Sequence, residues 1–265
     1  MVFPLPEGSY TVDSSKKFIP FDPSKDKVEN RPASLLVDIV PFLIKTKSDL
    51  IVVDPGLGFS KSDSVLEGSL HSDFQIHENI RRFGFSPDKI SMVLLSHLHK
   101  DHADGICYRT NGSFELMFPN AAYFCQEKEM EWAFTKKNSQ SYTFEKLEFL
   151  QQSPALKFLN GDGNIDPEIR YEVSGGHTPY HQVFFIESDG KKFFFGGDVI
   201  PQPSQIIRRF VAKYDYDGKK SSQLREEYAR RGAEENWIFM FFHDGKVPMA
   251  RLGKENHHYR IINEN

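Results

Sequence analysis

Ten residues constrain this chain more than any other stretch: Ser96-His97-Leu98-His99-Lys100-Asp101-His102-Ala103-Asp104-Gly105. They follow directly on the apolar, β-favouring run Ile90 to Leu95 and place three histidines and a carboxylate between His97 and His102. In an extended segment alternate side chains share a face, so His97 and His99 point the same way while Leu98 turns into a core. Two imidazoles so placed can grip one cation. Past the strand end the chain must curl, and Asp101 and His102 then offer an oxygen and a nitrogen to a neighbouring position. The sequence reads as a strand that delivers metal ligands at its own C-terminal end.

Three other strand candidates end in the same manner. Val173-Ser174-Gly175-Gly176-His177-Thr178-Pro179-Tyr180-His181 follows one, Phe194-Phe195-Gly196-Gly197-Asp198 another, and Phe241-Phe242-His243-Asp244-Gly245 the last. Each lies where an open α/β sheet presents its ligands. Together they supply enough donors for two metals. His97, His99 and His177 suit the first, Asp101, His102 and His243 the second, and Asp198 can bridge. Nitrogen and oxygen donors without thiolate favour zinc, with manganese, iron or cobalt as substitutes. Asp54, at the end of the run Leu50 to Val53 and before Pro55-Gly56, is either an Asx-turn former or a carboxylate that orients a metal-bound histidine.

The remaining chain reads as mixed α/β. A short strand is expected at 9–12, a hairpin from 35–44 and 50–53, and strands at 121–125, 169–173, 182–187, 192–195 and 237–242. Helices are expected over 72–83, 127–134, 143–150 and 222–233, with loops at 160–164 and at 59–70, the latter a candidate flap over the site. With 265 residues, no internal repeat and no low-complexity linker, one domain is the economical organisation, with its core at about 35–245 and an N-terminal excursion at 13–34.

Composition excludes several classes. The formal charge is −4, and basic pairs such as Lys16-Lys17 and Arg230-Arg231 are scattered, so no nucleic-acid stripe is present. Two cysteines, Cys107 and Cys125, have neither CxxC spacing nor the number for a disulfide framework, and read as buried thiols. No apolar run approaches membrane-spanning length and Met1 to Tyr10 lacks a signal-peptide pattern, so a soluble, cytoplasmic protein is expected.

The order HxHxDH, then H, then D, then H resembles the metallo-β-lactamase superfamily. The gaps of 75 residues from His102 to His177, 21 to Asp198 and 45 to His243, with the contexts GGHTPYH, FGGD and FFHD, look most like its quorum-quenching lactonase and organophosphate-hydrolase members. The resemblance implies an αβ/βα sandwich, two mixed β-sheets flanked by helices with a binuclear site at one edge. It implies Asp54 and His181 as supports of the ligands, Asp198 as the bridge and Asp101 as proton carrier, with a metal-bridging hydroxide attacking a lactone or carboxylic ester such as an N-acyl-homoserine lactone. The pattern also departs from those relatives. Tyr180 stands where they have glycine before the second histidine, and Pro201 where some lactonases carry a tyrosine, for which Tyr214 and Tyr216 are candidate replacements. Phe59, Phe74, Trp132 and Phe134 favour a substrate with an apolar portion. Phosphotriester, phosphodiester or thioester hydrolysis would use the same apparatus. A non-catalytic metal-binding protein is the alternative of a different class. β-Lactams fit less well, because Asp198 stands where many lactamases carry a cysteine. Diiron oxygen reductases of this fold carry glutamate where this chain has His99. Relatives often dimerise through N-terminal excursions, which makes residues 16–32 a candidate homodimer interface.

Overall fold

A computed structural model describes residues 1–11, 19–21, 36–58, 75–207, 212, 214–255 and 258–264. Strands β1 (Val2–Pro4), β2 (Gly8–Thr11), β3 (Ile19–Pro20) and β4 (Leu36–Ile39) precede the hairpin of β5 (Phe42–Lys45) and β6 (Leu50–Val53). Helix α1 (Gln75–Arg82) leads to β7 (Met92–Leu94), the single turn α2 (Lys100–Ala103) and the hairpin β8 (Cys107–Thr110) with β9 (Ser113–Leu116). Then come β10 (Ala122–Gln126), α3 (Glu127–Thr135), α4 (Phe144–Gln152) and β11 (Leu156–Leu159). The rest is β12 (Gly163–Asp166), β13 (Ile169–Val173), β14 (Gln182–Ser188), β15 (Lys191–Phe195), α5 (Ser204–Ile207), α6 (Gly218–Glu234), β16 (Ile238–Met240), β17 (Met249–Glu255) and β18 (His258–Asn263).

These strands form a six-stranded sheet, in the order β1-β5-β6-β7-β10-β11, and a seven-stranded sheet running from β12 to β18 in sequence order. The alternation of side chains along each strand decides the layering. Phe42, Ile44, Ile51, Val53 and Leu94 of the first sheet meet Phe184, Ile186, Phe193, Phe195, Ile238 and Met240 of the second in one buried cluster. The opposite residues of the first sheet, Leu43, Val52 and Val93, pack on Ile76 and Ile80 of α1, Met130 of α3, and Leu147 and Leu150 of α4. Those of the second, Val183, Phe185, Phe194 and Phe239, pack on Tyr228 and Ala229 of α6. Four layers result, αβ/βα. Because the strands are covered on both faces they read as continuous apolar runs such as Phe193-Phe194-Phe195.

Strand direction puts every candidate ligand at one rim. β6, β7 and β10 run parallel, as do β15 and β16. β13 has the direction of β15, since both are antiparallel to β14. Asp54, His97, His177, Asp198 and His243 all lie just beyond the C-terminal ends of such strands.

The run 35–44 divides around Val40-Pro41: β4 joins the small sheet β3-β2-β4, while β5 joins the main sheet. A proline lacks the N–H that an interior ladder residue must donate, which ends the first segment there. The expected loop at 160–164 gives way to strand at Gly163, and α6 extends the 222–233 helix to 218–234. The proposed flap at 59–70, most of the 16–32 interface segment, and Phe59 and Phe74 lie outside the described residues. Cys107 and Cys125 are buried free thiols. Among the described residues no helix is long and apolar enough to cross a membrane.

Glu7, at the turn between β1 and β2, is completely buried and accepts the Leu57 amide at 2.9 Å. Burial pushes its carboxyl up to about 8, against the pull of the Leu57 and Gly58 amides and the charge of Lys146. The folded value lies above the unfolded one, so the stability it contributes is full below about pH 4.5 and disappears as pH rises through about 8. Wild-type protein is therefore expected to lose stability relative to Glu7→Gln between these values, by on the order of a few kcal/mol. Urea unfolding of both proteins at pH 5 and pH 8 reads the difference.

Candidate metal centre

His97-Leu98-His99 continues from β7 as extended backbone, with Leu98 buried in the core and both imidazoles facing the rim. His97 Nε2 lies 3.0 Å from His99 Nδ1, and His177 Nε2 lies 3.0 Å from the same atom. The one turn of α2 then swings Asp101 and His102 to the neighbouring position. There His102 Nε2 lies 3.3 Å from His243 Nε2, and Asp101 Oδ2 stands 3.9 Å and 3.6 Å from those two nitrogens. Asp198 spans both groups: Oδ1 is 3.1 Å from His102 Nε2 and from His243 Nε2, and Oδ2 is 3.2 Å from His177 Nε2. The seven side chains singled out from the sequence thus converge as two adjoining triads joined by one carboxylate.

The outer nitrogens decide what the inner ones can do. His102 Nδ1 faces the Asp54 carboxylate at 2.7 Å, and His243 Nδ1 faces the Asp38 carbonyl at 2.7 Å. His177 Nδ1 faces Asp215 at 3.0 Å. Each of these partners is an acceptor, so in the neutral ring the proton sits on Nδ1 and Nε2 keeps its lone pair. Ser96 Oγ donates to Asp54 Oδ2 at 2.5 Å and therefore accepts from His97 Nδ1 at 3.0 Å, with the same consequence for His97. Lone pairs pointing at one another from 3 Å need a cation between them. The donor set fits two divalent ions with oxygen and imidazole ligands.

Electrostatics separates the two triads. Burial, followed by the neighbouring imidazoles, holds His97 far below the ordinary range and His99 down at about 3, so these two imidazoles are neutral and ready to ligate. At the second, burial opposes charge on His102 and His243, but the carboxylates, Asp198 foremost, outweigh it and raise both. Without a metal, protons take its place there. Asp101 and Asp198 are held below the carboxylate range despite burial, chiefly by His102 and His243.

The metallo-beta-lactamase superfamily profile matches residues 37–235, well over half of the chain. The chain belongs to that superfamily. Its relatives include the N-acyl homoserine lactonase of Bacillus thuringiensis, 27% identical over 161 residues that cover 56% of this chain and 58% of the relative. The lactonase AttM of Agrobacterium fabrum is 30% identical over 121 residues, 43% of each protein. The match thus spans little more than half the length of the first of these curated relatives and less than half of the second. Among solved structures, a probable metal-dependent hydrolase from Staphylococcus aureus superposes with a TM-score of 0.78 at 22% identity, over 100% of this chain and 96% of its own. AidC, a dizinc quorum-quenching lactonase, does so at 0.72 and 20% identity, over 100% and 94%. At these identities the likeness establishes the fold.

Asp54 and His181, expected from the sequence as supports of the ligands, both lie beside the site. Asp54 adopts a left-handed backbone, φ 45°, which lets one carboxylate accept Ser96 N, Ser96 Oγ and His102 Nδ1. His181 touches the bridging segment and no metal-facing nitrogen: its Nε2 accepts the Asp198 amide at 3.2 Å, while Nδ1 faces Ser174 Oγ at 2.7 Å. Gly197, at φ 48°, has no room for a side chain, since a Cβ there would stand 2.5 Å from His181 Nε2. Tyr180 stands 5.8 Å from the Lys128 ammonium, and Phe134 packs on the helix-side core beside Phe144. Trp132, by contrast, meets Tyr216 at 5.3 Å, while Tyr142 lies 5.1 Å from His99 and Tyr214 5.7 Å from His177.

Four contributors escaped the sequence reading: Tyr10, Asp38, Asp215 and Arg225. Asp215 stands two residues before Asp217, whose side chain caps α6 by accepting Lys220 N, and sequence alone does not distinguish a cap from a histidine partner. The segment also clamps the His177 loop, through Tyr216 N to His177 O at 3.0 Å and Asp217 N to Gly176 O at 2.7 Å. Buried Arg225 holds the other oxygen of Asp215 at 3.2 Å and the Val199 carbonyl at 2.7 Å. Asp215→Asn removes the charge that fixes the His177 tautomer, and a loss of about 10- to 100-fold in affinity for the more weakly held cation is expected. Isothermal titration of metal-free protein with zinc checks it.

Proposed function

We propose that this chain is a binuclear metal-dependent hydrolase acting on a lactone or other carboxylic ester with an apolar portion. The observation that carries this is the division of the Asp198 carboxylate between the two triads. His97, His99 and His177 would hold one cation, Asp101, His102 and His243 the second, and Asp198 both, with zinc favoured by the donor set. Two such ions supply a water of lowered pKa and Lewis-acid polarisation of the substrate oxygen.

The protein's own groups then handle position and protons. Asp101 is 19% exposed, which makes it the ligand carboxylate with the most access from the cleft, and it is ionised at neutral pH. As a new C–O bond forms between water and the carbonyl carbon, Asp101 takes one water proton. As the C–O bond to the leaving group breaks, its electron pair stays with the leaving oxygen and Asp101 returns the proton there. The products are a carboxylic acid and an alcohol, or for a lactone one hydroxy acid. No serine or cysteine nucleophile is required. Tyr214 beside His177 and Tyr216 beside Trp132, with Tyr142 behind His99, would give an acyl chain aromatic surface on the His99–His177 side. The curated relatives, named as N-acyl homoserine lactonases, support the ester class.

The test is a hydrolysis panel on zinc- and manganese-loaded protein: long- and short-chain homoserine lactones, a phosphotriester, a phosphodiester and a thioester, each beside Asp198→Ala. Lactone turnover that vanishes in the variant supports the proposal. Turnover confined to phosphoesters or thioesters would keep the binuclear site and reject the substrate class.

A further inference from the structure

Strand β2 enters the site from outside the main sandwich. It is the middle strand of the small sheet β3-β2-β4, with Ser9 opposite Asp38 and Tyr10 opposite Val37. Asp38 and Tyr10 are both tied to the metal centre. The Asp38 carbonyl receives His243 Nδ1, while its carboxylate accepts Ser9 Oγ at 2.5 Å and the Gly245 amide at 2.7 Å. Tyr10 reaches across to donate its hydroxyl to Asp101 Oδ2 at 2.8 Å. The ring is half-buried, so the phenol is anchored without being sealed from solvent.

We propose that the Tyr10 hydroxyl is a catalytic group that hydrogen-bonds the leaving oxygen of the substrate beside the second triad. This rests on the ester-hydrolase reading above and goes beyond it by assigning the leaving-group contact. Asp101 is both the partner of Tyr10 and the group placed to carry the proton. While Asp101 is ionised, the phenolic O–H points at Oδ2. Once Asp101 has taken a water proton its carboxyl becomes a donor, the Tyr10 oxygen accepts from it, and the phenolic O–H turns to the oxygen whose bond to carbon is breaking. Only the C–O torsion of the phenol has to change. The phenol passes its proton to the leaving oxygen as it takes the one Asp101 holds, so Tyr10 ends the cycle with one proton and Asp101 as a carboxylate, as they began; water has lost one proton and the leaving oxygen has gained one. Tyr214 is less suited: it is more than half exposed, its hydroxyl is engaged by Gln205 Nε2 at 3.2 Å, and it faces the first triad.

A donor to the leaving oxygen matters most when that oxygen is a poor leaving group. Tyr10→Phe removes only the hydroxyl. The full-length, zinc-loaded variant and wild type are compared on esters of one acyl group whose leaving alcohols run from 4-nitrophenol through phenol to an aliphatic alcohol, and on the corresponding lactone. Expected is a fall in kcat of about 100-fold on the lactone and aliphatic ester, shrinking to within about threefold on the nitrophenyl ester, with KM little changed. Zinc content, measured by atomic emission, should remain that of wild type. A loss equal across all leaving groups, or a fall in zinc content, would make Tyr10 a support of Asp101 and overturn the proposal. Wild type inert on the entire series would overturn the ester reading and this assignment together, whereas an active wild type with a flat loss overturns this assignment alone.

Discussion

Replacing Asp198 by alanine is expected to reduce the cation content from two per chain to one or fewer, and hydrolysis by about a thousandfold or more. The side chain reaches metal-facing nitrogens of both triads: Oδ1 lies beside His102 and His243 and Oδ2 beside His177. Its negative charge has two further effects. It is the foremost influence raising His102 and His243, and its loss would return both toward neutral imidazole. The second triad would then shed its protons at higher acidity but would also offer a divalent ion only one carboxylate. Cation binding to wild-type protein has to displace those protons, so uptake at the second triad should weaken as pH falls. In Asp198→Ala that pH dependence should flatten while overall affinity drops. Zinc content across a pH series, for both proteins, measures the two effects separately. A variant that retained two ions and full activity would sink the bridging role.

The site was legible in the sequence to the extent that its residues are adjacent to strand ends. His97, His99, Asp101 and His102 announce themselves by spacing. His177, Asp198 and His243 could be added because each follows an apolar run and a glycine or aromatic context, and the parallel directions of β7, β13, β15 and β16 then bring them to one rim. Asp54 was legible for the same reason; its carboxylate goes to Ser96 and His102, aimed there by a left-handed backbone, while the Gly56 amide of its own turn donates to the His102 carbonyl instead. What could not be read comes from long-range placement by elements without a local signature. Asp38 contributes a backbone carbonyl, which any residue would supply. Tyr10 sits in a four-residue strand whose pattern says nothing of the helical turn 91 positions later that it meets.

Weak strands were missed for a related reason. The hairpins β8–β9 and β17–β18 alternate polar with apolar residues and bury one face at most, so Tyr108-Arg109-Thr110 and Arg260-Ile261-Ile262 lack the dense apolar signal of the central strands. Gly163 of β12 falls within a Gly-Asp-Gly run that looks like turn; its Cα lies so close to Tyr171 that a Cβ would stand 2.6 Å from the hydroxyl. Here glycine serves packing between strands, which sequence renders identically to a loop.

Asp54→Ala is expected to cost about 3–5 kcal/mol of folding stability, the penalty for stripping a buried, hydrogen-bonded charge of its place. The carboxylate is wholly inaccessible and satisfies three donors, the Ser96 amide and hydroxyl and His102 Nδ1–H; alanine leaves all three buried without that acceptor. Alanine also resists the φ of 45° that aspartate and asparagine tolerate. Asp54→Asn separates these causes. Asparagine keeps the left-handed turn and one acceptor oxygen, but its amide N–H₂ faces donors, and the charge that orients His102 is gone. Its stability loss should be smaller, about 1–3 kcal/mol, while cation affinity at the second triad still falls about 10- to 100-fold. Urea unfolding of metal-free protein compares the stabilities, and zinc titration compares the affinities. If both variants lost stability equally, the carboxylate's hydrogen bonds would be the whole cause; if Asp54→Asn bound two ions as tightly as wild type, orientation of His102 by charge would be excluded, leaving Asp54 a turn former alone.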